Sequence, residues 1–262
     1  MCSVASMPCQ LPALPRPAPA RSSAPQTAAF SLVELLVVVA IMAILSSLLL
    51  VSVSGTKSSR DLANAAYSIQ GSLEQARTYA MAENTYTWVG FFEENPASPG
   101  PAGTGQVVIA IVASSSGSNL VTGTNAPQLP SSGLIQVAKL TKIPNVHLDV
   151  VPSAAVTRPT IATVSPADTY QLGSPDFPNP ASPNSWQFLY PLTAASAGAA
   201  QYTFTQIIQF SPQGDATRIG DTPTTLMEVG LQPSHGNTVS AGTNFAVLQV
   251  TGIGGQVLTY RP

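Results

Sequence analysis

The stretch Phe30-Ser-Leu-Val-Glu34-Leu-Leu-Val-Val-Val-Ala-Ile-Met-Ala-Ile-Leu45 decides how the rest of the chain is read. It is an apolar run with a single carboxylate near its start, and no further charge appears until Lys57. A bilayer core takes roughly 20 apolar residues as a helix, so the sequence predicts a transmembrane segment over 32–54. A carboxylate at the bilayer centre costs about 2.5–3.5 kcal/mol. Glu34 therefore calls for a partner or a purpose.

Working outward, no proline occurs between Phe30 and Asn84, and the only glycines there are Gly55 and Gly71. Leu62, Ala66, Ile69, Leu73, Ala76 and Ala80 recur at steps of four and three, which is one apolar face of a helix. Asp61, Asn64, Gln70, Glu74 and Arg77 fill the other positions. The spacing predicts one helix over 30–84, transmembrane in its first part and amphipathic in its second. Residues 1–29, rich in Pro, Ala and Ser, read as a cytoplasmic leader, and Met7 is an alternative start. A conventional signal peptide cut near Gly55 is the competing reading, but it leaves Glu34 unexplained.

Beyond Asn84 the pattern turns to strands and turns. Strands are predicted at Thr85–Phe92, Gln106–Ala113, Leu134–Leu140, Val146–Val150, Gln201–Phe210, Thr224–Val229, Asn244–Thr251 and Gln256–Tyr260. The glycines of 252–255 predict a hairpin between the last two. Segments 94–105, 114–133 and 152–185 read as loops, the last longer than a compact domain usually carries. The fold class is thus α+β: a long N-terminal helix packed on an antiparallel β-rich domain over 85–262, which is expected to be soluble without the helix.

Charged residues make up 8% of the 262 and the formal net charge is −2. Of the 10 basic residues, Arg16 and Arg21 lie in the leader, whereas all 12 acidic residues lie beyond it. That balance argues against a general grip on nucleic acid, which needs clustered Lys and Arg. Both cysteines, Cys2 and Cys9, fall in the leader, so a chain without it has no disulfide. Cys9 makes a poor lipid acceptor because no apolar segment precedes it.

The N-terminal stretch resembles type IV pilins and the pseudopilins of type II secretion. The resemblance implies cleavage by a prepilin peptidase between Ala29 and Phe30, N-methylation of Phe30, and insertion in the inner membrane with the C-terminal domain extracytoplasmic. It also implies co-assembly with other pilin or pseudopilin subunits, with Glu34 facing a neighbouring Phe30 ammonium and setting the register. One departure is Ala29, where the family usually has Gly. Leu73-Glu-Gln-Ala-Arg77-Thr-Tyr-Ala-Met-Ala-Glu-Asn84 and Ile208-Gln-Phe-Ser-Pro-Gln-Gly214-Asp resemble segments of H-type minor pseudopilins and their FimT relatives. An ordinary strand and Pro-x-Gly turn accounts equally well for Phe210 and Gly214. The long Pro-rich leader and the Ser/Thr/Pro-rich insertions are also similar to the pilin-like Verru_Chthon cassette protein D group. The function implied is structural, a minor subunit of a pilus or secretion pseudopilus. The alternative is a non-polymerising, membrane-anchored surface or binding module.

Catalytic chemistry is not expected. His147 and Asp149 share one face of a predicted strand, and the plain reading is a surface ion pair. Ser234-His235 reads as a turn. No phosphate loop, nucleophile elbow, Cys/His metal spacing or calcium loop is evident, so no cofactor or metal is expected. Trp88 and Trp186 read as core. Some relatives bind DNA through a C-terminal Gly-Arg-x-Arg; here Gln256 stands where an arginine is wanted and Arg261 is alone.

Overall fold

The computed structural model describes residues 31–121, 128–152, 154–158, 169–173, 186–194, 196–219, 223 and 226–261; the side chains of 48–56 and 197 fall outside that description. By contacts the chain forms two compact units, Met1–Leu49 and Leu50–Pro262. The fold is α+β, with an N-terminal helix and a β-rich C-terminal region.

Helix α1 runs Leu32–Ala82. Within the first unit its large apolar side chains, from Leu32 to Leu45, are 47–80% exposed. Within the second unit the predicted face is buried: Leu62, Ala66, Ile69, Leu73, Ala76 and Ala80 are at most 2% exposed, and Ala65 joins them. Burying a Leu or Ile side chain contributes about 1.5–3 kcal/mol, so this face holds the helix to the sheets. The helix ends at Asn84, in the left-handed region at φ 48. There the Thr85 N–H reaches back to the Ala80 carbonyl at 2.9 Å, the hydrogen bond of a Schellman stop.

The strands are β1 Thr87–Asn95, β2 Ser98–Ala102, β3 Gln106–Ser114, β4 Leu134–Gln136, β5 Thr141–Pro144, β6 Val146–Leu148, β7 Thr169–Gln171, β8 Phe188–Tyr190, β9 Tyr202–Phe204, β10 Gln206–Phe210, β11 Ala216–Arg218, β12 Leu226–His235, β13 Thr238–Val239, β14 Ala246–Thr251 and β15 Val257–Tyr260. One sheet runs β11-β10-β1-β3-β4, with β2 against β1 and β5 against β3. A second runs β13-β12-β14-β15, with β6 and β7 also against β12, and β8 pairs with β9. Named strands pair antiparallel except β7 with β12.

Alternation along β1 and β3 explains how the first sheet is buried on both faces. Val89, Phe91, Val107, Ile109 and Ile111 join the helix in the main core, together with Met227, Val229, Leu248 and Val250 of the second sheet. Trp88, Val108, Ala110 and Val112 point the other way, into a second core with Trp186, Phe188, Tyr202 and Phe204. Both tryptophans are core residues, as read from the sequence.

Several boundaries differ from the sequence reading. The predicted loop 94–105 contains β2, and 152–185 contains β7. The predicted strand Leu134–Leu140 stops at Gln136, and β5 follows it. Gln201–Phe210 is two strands in different sheets, divided at Thr205. β12 runs on through Ser234 and His235, so the turn begins two residues later than expected, at Gly236.

Candidate functional site

The site read from the sequence is the start of the chain's helix. Ala29 and Phe30 lie outside the described residues. Glu34 is described: it is exposed in the first turn of α1, where the positive end of the helix dipole favours a carboxylate. Around it Leu32, Val33, Leu35 and Leu36 are all more than 60% exposed. A helix apolar on every side needs an apolar surrounding. Among the described residues no helix is long and apolar enough to cross a membrane. The predicted span, 32–54, ends within 48–56, whose side chains are outside the description.

The two other stretches singled out in the sequence meet in the second unit. Leu73 and Phe210 share the main core. Gly214, at φ +86, lies under the helix end: a Cβ there would sit 2.8 Å from Met81 Sδ and 3.5 Å from Arg77 Nε. The turn is held by the Gly214 N–H on the Ser211 carbonyl and the Ser211 N–H on the Asp215 carbonyl, each at 2.9 Å. Gly255 closes on the same place, where a Cβ would meet the Gly214 carbonyl and lie 3.3 Å from Arg77 Cδ. Arg77 is thus clasped by two glycine turns and pairs with Glu74 at 3.5 Å. Gln256 is exposed, and Arg261 donates to the Ser59 carbonyl on the helix at 3.3 Å.

Three polar clusters escaped the sequence reading. Glu94 is fully buried. It accepts from Lys142 Nζ and Gln106 Nε2, each at 2.8 Å, from the Gly100 N–H at 2.7 Å and from the Tyr202 hydroxyl at 3.1 Å. Burial alone would raise its pKa, but the hydrogen bonds from Lys142, Gly100 and Tyr202 prevail and hold it below the ordinary carboxylate value. The bond to Glu94 in turn raises Lys142. Glu228 receives both Nε (2.7 Å) and Nη2 (2.9 Å) of Arg158, with Gln171 at 2.8 Å and Gln249 at 2.7 Å. A bidentate guanidinium of this kind satisfies a buried carboxylate that would otherwise be costly.

His147 corrects an expectation. Its partner is Glu93, with Nδ1 at 2.8 and 2.9 Å from the two carboxylate oxygens, while Asp149 Oδ1 accepts the N–H of Val150. The hydrogen bond to Glu93 raises the imidazole pKa. One signal for these clusters was present in the sequence. Adjacent carboxylates in an apolar strand must face opposite sides, so Glu93 and Glu94 each needed a partner. Among the described residues no group of three His, Cys, Asp or Glu side chains could hold a metal ion.

These features define a class: an α+β chain with a β-rich unit and a helix whose start is apolar on all sides except for one carboxylate. Residues 25–50 match the family model of the prokaryotic N-terminal methylation motif. That match marks the N-terminal segment as type IV pilin-like. No significant match is found among curated proteins or solved structures.

Proposed function

We propose that this chain is a structural minor subunit of a type IV pilus-like filament or a type II secretion pseudopilus, and not an enzyme. Prepilin peptidase cuts it between Ala29 and Phe30 and methylates Phe30. The 32–54 segment holds it in the inner membrane as a single pass, with the β-rich unit extracytoplasmic, until it joins other pilin or pseudopilin subunits. The observation that carries this reading is the methylation-motif match over 25–50, on a helix start whose apolar side chains are exposed all round with Glu34 among them. In a filament, a neighbour's Phe30 ammonium would neutralise Glu34 inside an apolar bundle, where an unpaired carboxylate is costly. Within that class the H-type minor pseudopilin is favoured by the resemblance of segments 73–84 and 208–215 alone.

The test is intact mass and N-terminal sequence of the protein taken from its native membrane, followed by filament assembly of Glu34→Ala. A chain beginning at methylated Phe30 is expected. Glu34→Ala should insert and fold normally yet be lost from filaments. An uncut chain would leave a static anchor, and a cut near Gly55 would mean a secreted domain. Normal entry of Glu34→Ala into filaments would end the register role.

A further inference from the structure

The two large sheets meet at a corner built from polar groups. His147 belongs to the second sheet, its strand β6 pairing Gln232 with His147. Glu93 belongs to the first, opposite Val107 on β3. The imidazole Nδ1 lies at 2.8 and 2.9 Å from the two carboxylate oxygens, with the side chains 25% and 14% exposed. Glu93 Oε1 also accepts the Gly105 N–H at 3.0 Å. The Gly105 carbonyl accepts the N–H of Asn145 at 2.9 Å and the hydroxyl of Ser234 at 3.4 Å. Asn145 accepts the Ser234 N–H at 2.9 Å through its carbonyl, and its side chain donates to Asp61 of α1 at 3.0 Å. Gly105, at φ +115, has no room for a side chain: a Cβ there would overlap the Gly236 carbonyl. A continuous chain of hydrogen bonds therefore runs from His147 through Glu93, Gly105 and Asn145 to the helix.

We propose that His147 and Glu93 form a pH-responsive latch between the two sheets, closed while the imidazole is protonated and slackened when it is neutral. An imidazolium holds the carboxylate by charge as well as by its N–H; neutral histidine keeps at most the N–H. The charged groups acting on the ring are Glu93, on the facing strand, and Asp149, just beyond β6; both favour the protonated form. Asp61 stands further along the chain, behind Asn145. Because the imidazole pKa is raised above its ordinary 6.5, the latch is fully closed below that value and is lost as pH rises through the raised pKa. The Gly105 and Asn145 amides are then the first to lose support.

The test uses the full chain in detergent micelles, reading amide hydrogen exchange by mass spectrometry on either side of the imidazole titration, corrected for intrinsic exchange. Protection of peptides covering 103–107 and 141–147 is expected to be lost progressively with rising pH in the wild type, as the imidazole deprotonates. It should be independent of pH in His147→Gln. NMR titration of the wild-type imidazole should give a pKa above 6.5, and Glu93→Gln should bring it down. Equal pH dependence in wild type and His147→Gln would overturn the latch. If His147→Gln does not fold, the titrations decide: a wild-type imidazole at or below 6.5, or one unmoved by Glu93→Gln, overturns it.

Discussion

Gly90 sits where two aromatic side chains of the second core converge on β1. A Cβ there would lie 2.5 Å from Phe188 Cζ and 2.7 Å from Phe204 Cβ, and the two rings stack with centroids 4.8 Å apart. Both rings are fully buried, so neither can step aside without opening the core. Gly90→Ala should therefore destabilise the protein by about 1–3 kcal/mol, the usual range for overpacking, read as a lower urea midpoint with unchanged slope. A loss below about 0.5 kcal/mol, the surface-substitution range, would mean that β8 and β9 do not press on β1. The same residue shows what a sequence withholds. Gly90 within Thr85–Phe92 signals that something approaches closely, but nothing in the run says it is Phe188, far along the chain.

At the scale of elements, the stop of α1 is a local device and can be tested as one. Asn84 occupies the left-handed position that glycine adopts without strain and a β-carbon resists. Asn84→Gly should leave stability level or slightly raised, whereas Asn84→Ala should lower it by about 1 kcal/mol, both read by thermal unfolding. The opposite order would remove the Schellman description. Elements governed by local rules were legible in the sequence. The proline-free run and its four-three face gave α1 and its buried stripe, and short runs of β-branched, aromatic and other apolar residues bounded by turn residues gave β1, β3, β14 and β15. Glu34 was legible for the same reason, as a charge in a run that should have none. Elements that exist only through distant partners were not. β7 is three residues that form a strand because β12 lies beside it. The single alternating run of 201–210 is divided because β9 pairs with β8 while β10 pairs with β1. His147 was read against Asp149, its neighbour in sequence, but a strand brought in from another sheet supplied Glu93.

For the whole molecule, the placement of Leu62–Ala80 in the main core decides what can fold alone. A chain beginning at Thr85 lacks one wall of that core and should be unfolded or aggregated by circular dichroism, contrary to the expectation from sequence. One beginning at Lys57 keeps the wall and should be soluble and β-rich. The same unit carries two titrating ties with opposite signs. Glu94 has a depressed pKa, so its contribution is present above the unfolded value of about 4.5 and is lost as pH falls through the lower folded value. His147 has a raised pKa, so its contribution is present below about 6.5 and is lost as pH rises through the higher folded value. Stability should therefore be greatest between these limits and decline on either side. Urea unfolding across pH should show that maximum. Glu94→Gln should flatten the acid limb without touching the alkaline one, and His147→Gln should do the reverse, because the two pairs are separate and share no partner. A wild-type profile that keeps rising above neutral pH, or limbs unchanged by both substitutions, would show that these ties do not govern the fold's response to pH.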